Sequence, residues 1–420
     1  MHRKPRPAAL AAVALVLAAA PLAGQTPDSL AARLRRTEEA LAALQARVDS
    51  IEAPTVRARS HATVELTGLV LFNGFYNSGH TNNSDLPLYA DTLTAAEHAG
   101  LPARNVGAAA RQTRIGLVFS DIRALGAVVS ATAQMDFFGG QQASTGGRTF
   151  PLMRLRVASV RVDWAHVGLL VGQDAVLIAP VSPVSFASFA TPLFASSGNL
   201  WARAPQVRLT AETSWSAHLG VQAAVLAPMQ PSPQGALLTQ PDSAERSGRP
   251  SGEGRLYLAW GDGDAASEIG VSGHIGWLAT TGDSLLQSQV VAADARIALG
   301  RHIAIAGEAF TGQALGAFGG GVGQNLGVGQ VPVRSRGGWG QLDIRPGGGW
   351  QFGGGYGIDD PNTADLPLTG RGRNVTIAGH LIWRPRGGLL FGTEYRRIQT
   401  TYAAGTLTVD HVNAYAGLSF

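Results

Sequence analysis

Residues 407–420 read Leu-Thr-Val-Asp-His-Val-Asn-Ala-Tyr-Ala-Gly-Leu-Ser-Phe, and the order of side chains in this closing stretch decides the fold. Counted back from the last residue, Phe420, Leu418, Ala416, Ala414 and Val412 share one face of an extended strand. Ser419, Asn413 and His411 share the other. A soluble domain has no need to finish its last strand on Phe. A transmembrane β-barrel does close with such a strand, apolar toward lipid and aromatic at the membrane interface.

The same period of two recurs upstream. Val64, Leu66, Gly68, Val70, Phe72 and Gly74 alternate with Glu65, Thr67 and Asn73. Val129, Ala131, Ala133, Met135 and Phe137 alternate with Ser130, Thr132, Gln134 and Asp136. Equivalent patterns run through 215–225, 268–277 and 374–383. One such strand fits any half-buried sheet. Repeated along the chain, with ionisable residues on the second face, the pattern predicts an all-β fold, a transmembrane antiparallel β-barrel with an apolar skin and a wet lumen.

Sixteen strands are expected, at 63–76, 113–120, 124–137, 153–163, 166–173, 204–212, 215–227, 253–261, 266–279, 288–299, 302–312, 335–344, 349–358, 373–384, 388–397 and 408–420. The connections 121–123, 164–165, 213–214, 262–265, 300–301, 345–348 and 385–387 are tight. Those at 77–112, 138–152, 174–203, 228–252, 313–334 and 359–372 are long and rich in Gly, Pro, Ser and Asn, with 280–287 and 398–407 intermediate. Short turns on one rim and long loops on the other describe an outer-membrane barrel over 60–420 with its chain ends in the periplasm. Sixteen strands make a channel-sized bore.

The other end of the chain gives the compartment. Arg3, Lys4 and Arg6 precede the apolar run Ala8–Ala20, the pattern of a secretory signal over 1–25 that is removed after export. Lys4 is the only lysine, and loss of those three cations takes the formal charge from +4 to +1. A nucleic-acid partner loses its compositional support. The absence of Cys removes disulfides and thiolate metal ligands. Residues 26–54 then predict a short coiled-coil helix in the periplasm. Leu30, Leu34, Thr37, Leu41, Leu44, Val48 and Ile51 form an a/d seam, and Pro54 ends it. So short a helix needs copies of itself or a dock on its own barrel, and the seam composition leaves the oligomer number open.

Inside the expected barrel, loop 174–203 stands out. Val176, Leu177, Ile178, Val181, Val184, Phe186, Phe189 and Phe194 are poor residues to expose, so the loop is expected to fold inward or pack on a neighbouring subunit. An inward fold would narrow the pore, with Pro180 and Pro183 as stiffeners. Arg114, Arg154, Arg156, Arg208, Arg255 and Arg296 fall on strands, where they either hold the interior together with Glu and Asp partners or present an anion-attracting row. Arg161 has the opposite parity to Arg154 and Arg156, so the fourth strand needs a bulge there or an interfacial Arg161. No HExxH, Gly-x-Ser-x-Gly elbow or phosphate-binding glycine loop is present, and the histidines are isolated. The residues therefore point to a non-enzymatic pore without metal or cofactor. A plugged barrel serving as a structural or surface-binding protein is the alternative, and a barrel hydrolase is a weaker one.

These pieces resemble the DcaP-like trimeric porins of Gram-negative outer membranes. The resemblance lies in Glu65–Asn77 (ELTGLVLFNGFYN), Arg111–Ser120 (RQTRIGLVFS), Met135–Gly140 (MDFFGG) and Met153–Asp174 (MRLRVASVRVDWAHVGLLVGQD). It implies a homotrimer in contact with outer-membrane lipid and lipopolysaccharide, inserted by the barrel assembly machinery through its C-terminal strand. It also implies passive diffusion of small, dicarboxylate-like anionic solutes past an arginine-lined constriction. By position the resemblance assigns that constriction to Arg114, Arg154, Arg156 and Arg208, with Asp174 at the entry of the loop. Arg156-Val157-Ala158-Ser159 departs from the continuation expected of the family, which bears on solute preference.

Overall fold

The computed structural model describes residues 55–57, 62–140, 151–213, 217–228, 241–281 and 284–420. The expected signal segment 1–25 and the helical seam Leu34, Leu41, Leu44, Val48 and Ile51 lie outside the described residues. Sixteen strands make the wall: β1 Thr63–Asn77, β2 Arg114–Ala124, β3 Ala127–Asp136, β4 Arg154–Asp163, β5 Val167–Ala175, β6 Arg203–Glu212, β7 Ala217–Leu226 and β8 Ser251–Trp260. They continue as β9 Ser267–Ala279, β10 Leu285–Leu299, β11 Ile303–Gln313, β12 Arg334–Gly347, β13 Trp350–Pro361, β14 Asn374–Trp383, β15 Leu389–Tyr402 and β16 Gly405–Ser419. Each pairs antiparallel with the next, and β16 returns to β1 from His411↔Asn77 to Ser419↔Leu69, which closes the barrel.

The alternation in sequence becomes the two sides of this wall. Leu66, Val70, Phe72, Val171, Leu209, Val221, Leu256, Val271, Val291, Ile305 and Leu342 all point outward and are exposed. An apolar belt of this extent is stable in contact with hydrocarbon, because barrel closure leaves no strand edge unpaired. Among the described residues no helix is long and apolar enough to cross a membrane. The strands do the crossing.

Three local details differ from the pattern reading. The β2–β3 turn sits at 125–126 rather than 121–123, because a bulge between Phe119 and Ile122 carries β2 further, with Asp121 at φ 65°. β15 and β16 extend to pair Tyr402 with Gly405, so the connection read as 398–407 is a tight hairpin. In the long first loop, Asn105–Ala109 pairs with Asn73–Asn77 and continues the β2 side of the sheet above Arg114. In β4 the two parities of arginine are reconciled by a bulge: Met135 pairs with Leu155 and Gln134 with Val157, leaving Arg156 as the extra residue. Gln173 Nε2 donates to the carbonyl oxygens of Leu155 (2.9 Å) and Arg156 (3.3 Å), which takes up acceptors at the bulge.

Candidate functional site

The third outer loop, 176–202, runs along the inside of the wall. Glu253 on β8 accepts from Leu177 N (2.6 Å) and Ser272 on β9 accepts from Ala179 N (3.2 Å). Gln341 on β12 exchanges two bonds with the backbone of Val184 (2.6 and 2.9 Å), and Glu394 on β15 accepts from Ser185 Oγ (2.6 Å). Asn73 on β1 donates to Phe186 O (3.2 Å). On the way back Asn374 donates to Ser196 O (2.7 Å) and Glu308 accepts from Leu200 N (3.0 Å). These inward side chains supply the hydrogen bonds that a segment outside regular structure lacks.

Apolar contacts add to this anchoring. Val176–Ala179, Leu200 and Ala202 pack with Ala224, Leu226, Val290, Ala292 and Phe310 of the wall, and with Leu315 and Phe318 of the loop after β11. Further along, Ala187 with Val184, Phe186 and Phe189 packs on Leu69, Leu71, Ile382, Leu390 and Tyr415. Much of the bore is therefore filled by folded chain, where alternation alone predicted water. Along β8–β16, inward residues such as His274, Asp294, Glu308, Gln341, His380, Arg396, His411 and Asn413 are buried. On the arc from β4 to β7, Arg154, Ser159, Arg161, Asp174, Arg208 and Gln222 keep partial exposure. The edge of the loop left exposed is uncharged, with Pro180 and Ser182 at its crest.

Four arginines meet where the loop tip touches β2 and β4. Arg114 donates to Phe189 O (2.8 Å), and its guanidinium lies 3.7 Å from the centre of the Phe189 ring. Arg154 and Arg156 both donate to Ala190 O (2.9 and 3.1 Å) and both pair with Asp136 (2.7 and 2.6 Å). Gln112 completes the clamp, accepting from Phe189 N (2.7 Å) and Ala190 N (3.0 Å) and donating to Ala187 O (3.1 Å). Arg203, the first residue of β6, lies near enough to Arg156, Arg154 and Asp136 to interact with their charges. Among the described residues neither Arg114 nor Arg203 has a carboxylate within ion-pair distance.

Sequence reading singled out Arg114, Arg154, Arg156, Arg208 and Asp174. The structure brings the first three together. Arg208 and Asp174 stand apart at the root of the loop. Arg208 donates to Gln206 Oε1 (3.1 Å) and to Ala175 O, while Asp174 accepts from Ala175 N (2.7 Å). Arg203, Gln112 and the sharing of Asp136 were not foreseen. Leu69 and Leu71 carried a usable signal, being apolar on the face that alternation assigns to the lumen. Among the described residues no cluster of three metal-ligating side chains exists; His274 and His380 each pair with one carboxylate, Glu253 and Asp343 (3.1 Å each).

No family model matches the sequence, and no curated protein is similar to it in sequence. Solved structures are similar to it in shape. The outer membrane channel DcaP of Acinetobacter baumannii superposes with a TM-score of 0.66 at 15% identity, covering 88% of this chain and 100% of that one. The chain has a DcaP-like porin fold. An anion-selective porin from Comamonas acidovorans matches at a TM-score of 0.53 and 12% identity, over 86% of this chain and 100% of its own. OmpT, an outer membrane protein of Vibrio cholerae, matches at 0.52 and 9%, over 87% and 100%.

Proposed function

We propose that this DcaP-like barrel is a passive outer-membrane porin that favours small anions, with its long-loop rim outside the cell and its chain ends in the periplasm. One observation carries the anion preference: Arg114, Arg154, Arg156 and Arg203 gather near two carboxylates, Asp136, which pairs with Arg154 and Arg156, and Asp174, whose charge reaches Arg203. Their formal sum is +2. Guanidinium groups stay charged at any physiological pH and present forked donors that suit carboxylates. Of the four, Arg156 is buried and spent on Asp136 and the loop, and Arg114 is bonded to Phe189 O and stacked on its ring, so Arg154 and Arg203 are the pair left to face a solute. The exposed Pro180–Ser182 edge of the loop is uncharged and offers cations no partner.

The heptad seam at Leu34, Leu41, Leu44, Val48 and Ile51 supports self-association, and the resemblance to trimeric DcaP-like porins supports three copies. Planar bilayers containing the mature protein should conduct in steps grouped by three. In a salt gradient the reversal potential should have the sign of anion preference, and Arg154→Gln with Arg203→Gln should move it toward cations. Conductance without that shift would make the arginines loop anchors only. Folded protein with no conductance would favour the second reading, a plugged barrel for surface binding. That reading draws on the loop after β11, which packs on the third loop through Trp201 N to Phe318 O (3.0 Å).

A further inference from the structure

The connection after β11 places a second segment inside the mouth of the barrel. Residues 315–332 carry no charged side chain and seven of them are glycine, so no ion pair pins the segment and its backbone freedom is high. It starts and ends at one point, where Ala314 N donates to Val333 O and Val333 N to Asn325 O (2.9 Å each). From that base it crosses the outer mouth as a strap. The Phe318 ring meets His274 of β9 edge-on at 4.7 Å, and Phe318 O accepts from Trp201 N of the third loop (3.0 Å). Its far side reaches Asp359 on β13 and Arg371 in the connection after β13.

One residue takes the polar hold on that far side. Val322 N donates to Asp359 Oδ2 (2.9 Å), and Val322 O accepts from Arg371 Nε (3.0 Å). A buried carboxylate of the wall and a guanidinium of a neighbouring loop thus clamp a single residue. Val322 is fully buried and left-handed, at φ 51° and ψ 42°, a conformation that a β-branched side chain disfavours. Strain of this kind persists only where the surroundings enforce it. Arg371 is held in turn by Gln324 of the strap, through Arg371 N to Gln324 Oε1 (3.0 Å) and Gln324 Nε2 to Arg371 O (2.7 Å). Its guanidinium also lies 4.6 Å from the centre of the Tyr89 ring of the first loop. Beyond this clasp, Leu315, Phe318 and Val322 are the large apolar side chains that the strap buries. Freed at Val322, a glycine-rich chain with so little apolar cover has low local stability, and release relaxes its strained residue.

We propose that residues 315–332 form a gate. Latched at Val322 they narrow the outer mouth; released, they swing on the Ala314–Val333 base and widen it on the β9–β13 side. The third loop stays in place, so the constriction and its arginines are untouched. The gate rests on the porin reading.

The test compares the mature full-length protein with Arg371→Gln, Gln324→Ala and the two combined. Hydrogen exchange reads the strap directly. Protection in 315–332 should fall at least about tenfold in Arg371→Gln, the scale of a lost hydrogen bond to a charged group, while protection in 176–202 is kept. In planar bilayers that variant should spend more time in a higher conductance level by the same factor and admit larger polyethylene glycols. Its reversal potential should remain that of the parent. Because Gln324 and Arg371 form one clasp, the double change should cost less than the sum of the single ones. Unchanged exchange in both single variants would overturn the latch. Faster exchange with the same conductance levels and the same polymer cut-off would make the strap a mere cover and overturn the gate. A shifted reversal potential, or equal loss of protection in 176–202, would overturn it too, because the third loop would then move with the strap. All of these outcomes leave the porin reading standing. Folded parent and variants that never conduct would sink the porin reading itself, and the gate with it.

Discussion

Asp136 shows how one residue sets the sign of a local field. Its carboxylate is buried and shared by Arg154 and Arg156, and it also accepts from Phe138 N (3.0 Å). Asp136→Asn removes the carboxylate that pairs with two of the four arginines, so the reversal potential should move further toward anions. Breaking a buried pair from one side typically costs about 3–5 kcal/mol, so the thermal midpoint in detergent should fall at the same time. A more anion-selective but less stable pore is the expected result. Unchanged selectivity would mean that the guanidinium donors are consumed by the carbonyls of Phe189 and Ala190 and are not felt in the bore. Arg114, Arg154 and Arg156 were legible because strand parity placed them inward. Arg203 was not, since it opens β6 at a parity that alternation gives to the lipid face. Gln112 was hidden for a different reason: it falls in the break between Asn105–Ala109 and β2, where periodicity carries no information.

Among the elements, the strands were the most legible part of the chain, because lipid on one side and the lumen on the other impose a period of two on each. Hairpin ends were less so. Thr401 to Gly405 has no apolar contrast to mark where pairing stops, and register alone carries β15 to Tyr402. The parity conflict between Arg156 and Arg161 was the one place where sequence demanded an irregularity, and β4 has its bulge there. The course of the third loop was only half legible: its apolar content was plain, but its docking partners are scattered over β1, β2, β4, β8, β9, β11, β12, β14 and β15. The connection after β13 carries a pH prediction. Asp365 lies in the 3-10 turn Thr363–Asp365, and its hydrogen bonds from Arg334 hold the carboxyl below its usual range. A depressed folded value means that the latch is fully present above the unfolded pKa of about 4 and is lost as pH falls through the folded one. Protection against hydrogen exchange in residues 362–373, corrected for the intrinsic pH dependence of amide exchange, should be steady between about pH 5 and 8 and fall only below about 4. Asp365→Asn should show the lower protection throughout the range where the carboxylate is ionised; protection that falls near neutrality would point to another group.

At the scale of the molecule, closure depends on the final residue. Phe420 and Gly68 exchange backbone hydrogen bonds (2.8 and 3.1 Å), extending the β16–β1 ladder by one pair. The Phe420 ring lies outward, half exposed, over the space that a side chain at position 68 would occupy. A Cβ on Gly68 would come within 2.6 Å of the ring and within 2.6 Å of Arg114 O on the other side. Glycine here is what lets an aromatic residue cover the seam. Gly68→Ala should therefore lower the folded, heat-modifiable fraction, and Phe420→Ala should lower it by removing apolar cover from the same seam. Because the two changes act on one contact, their combination should cost less than the sum. The relief is partial, since Phe420→Ala leaves the clash with the Arg114 carbonyl in place. Selectivity in whatever protein still folds should be that of the parent, because the arginine cluster lies on the inner side of the wall. Strictly additive losses would show that Gly68 and Phe420 act separately, with the terminal aromatic serving insertion alone and not holding the barrel shut.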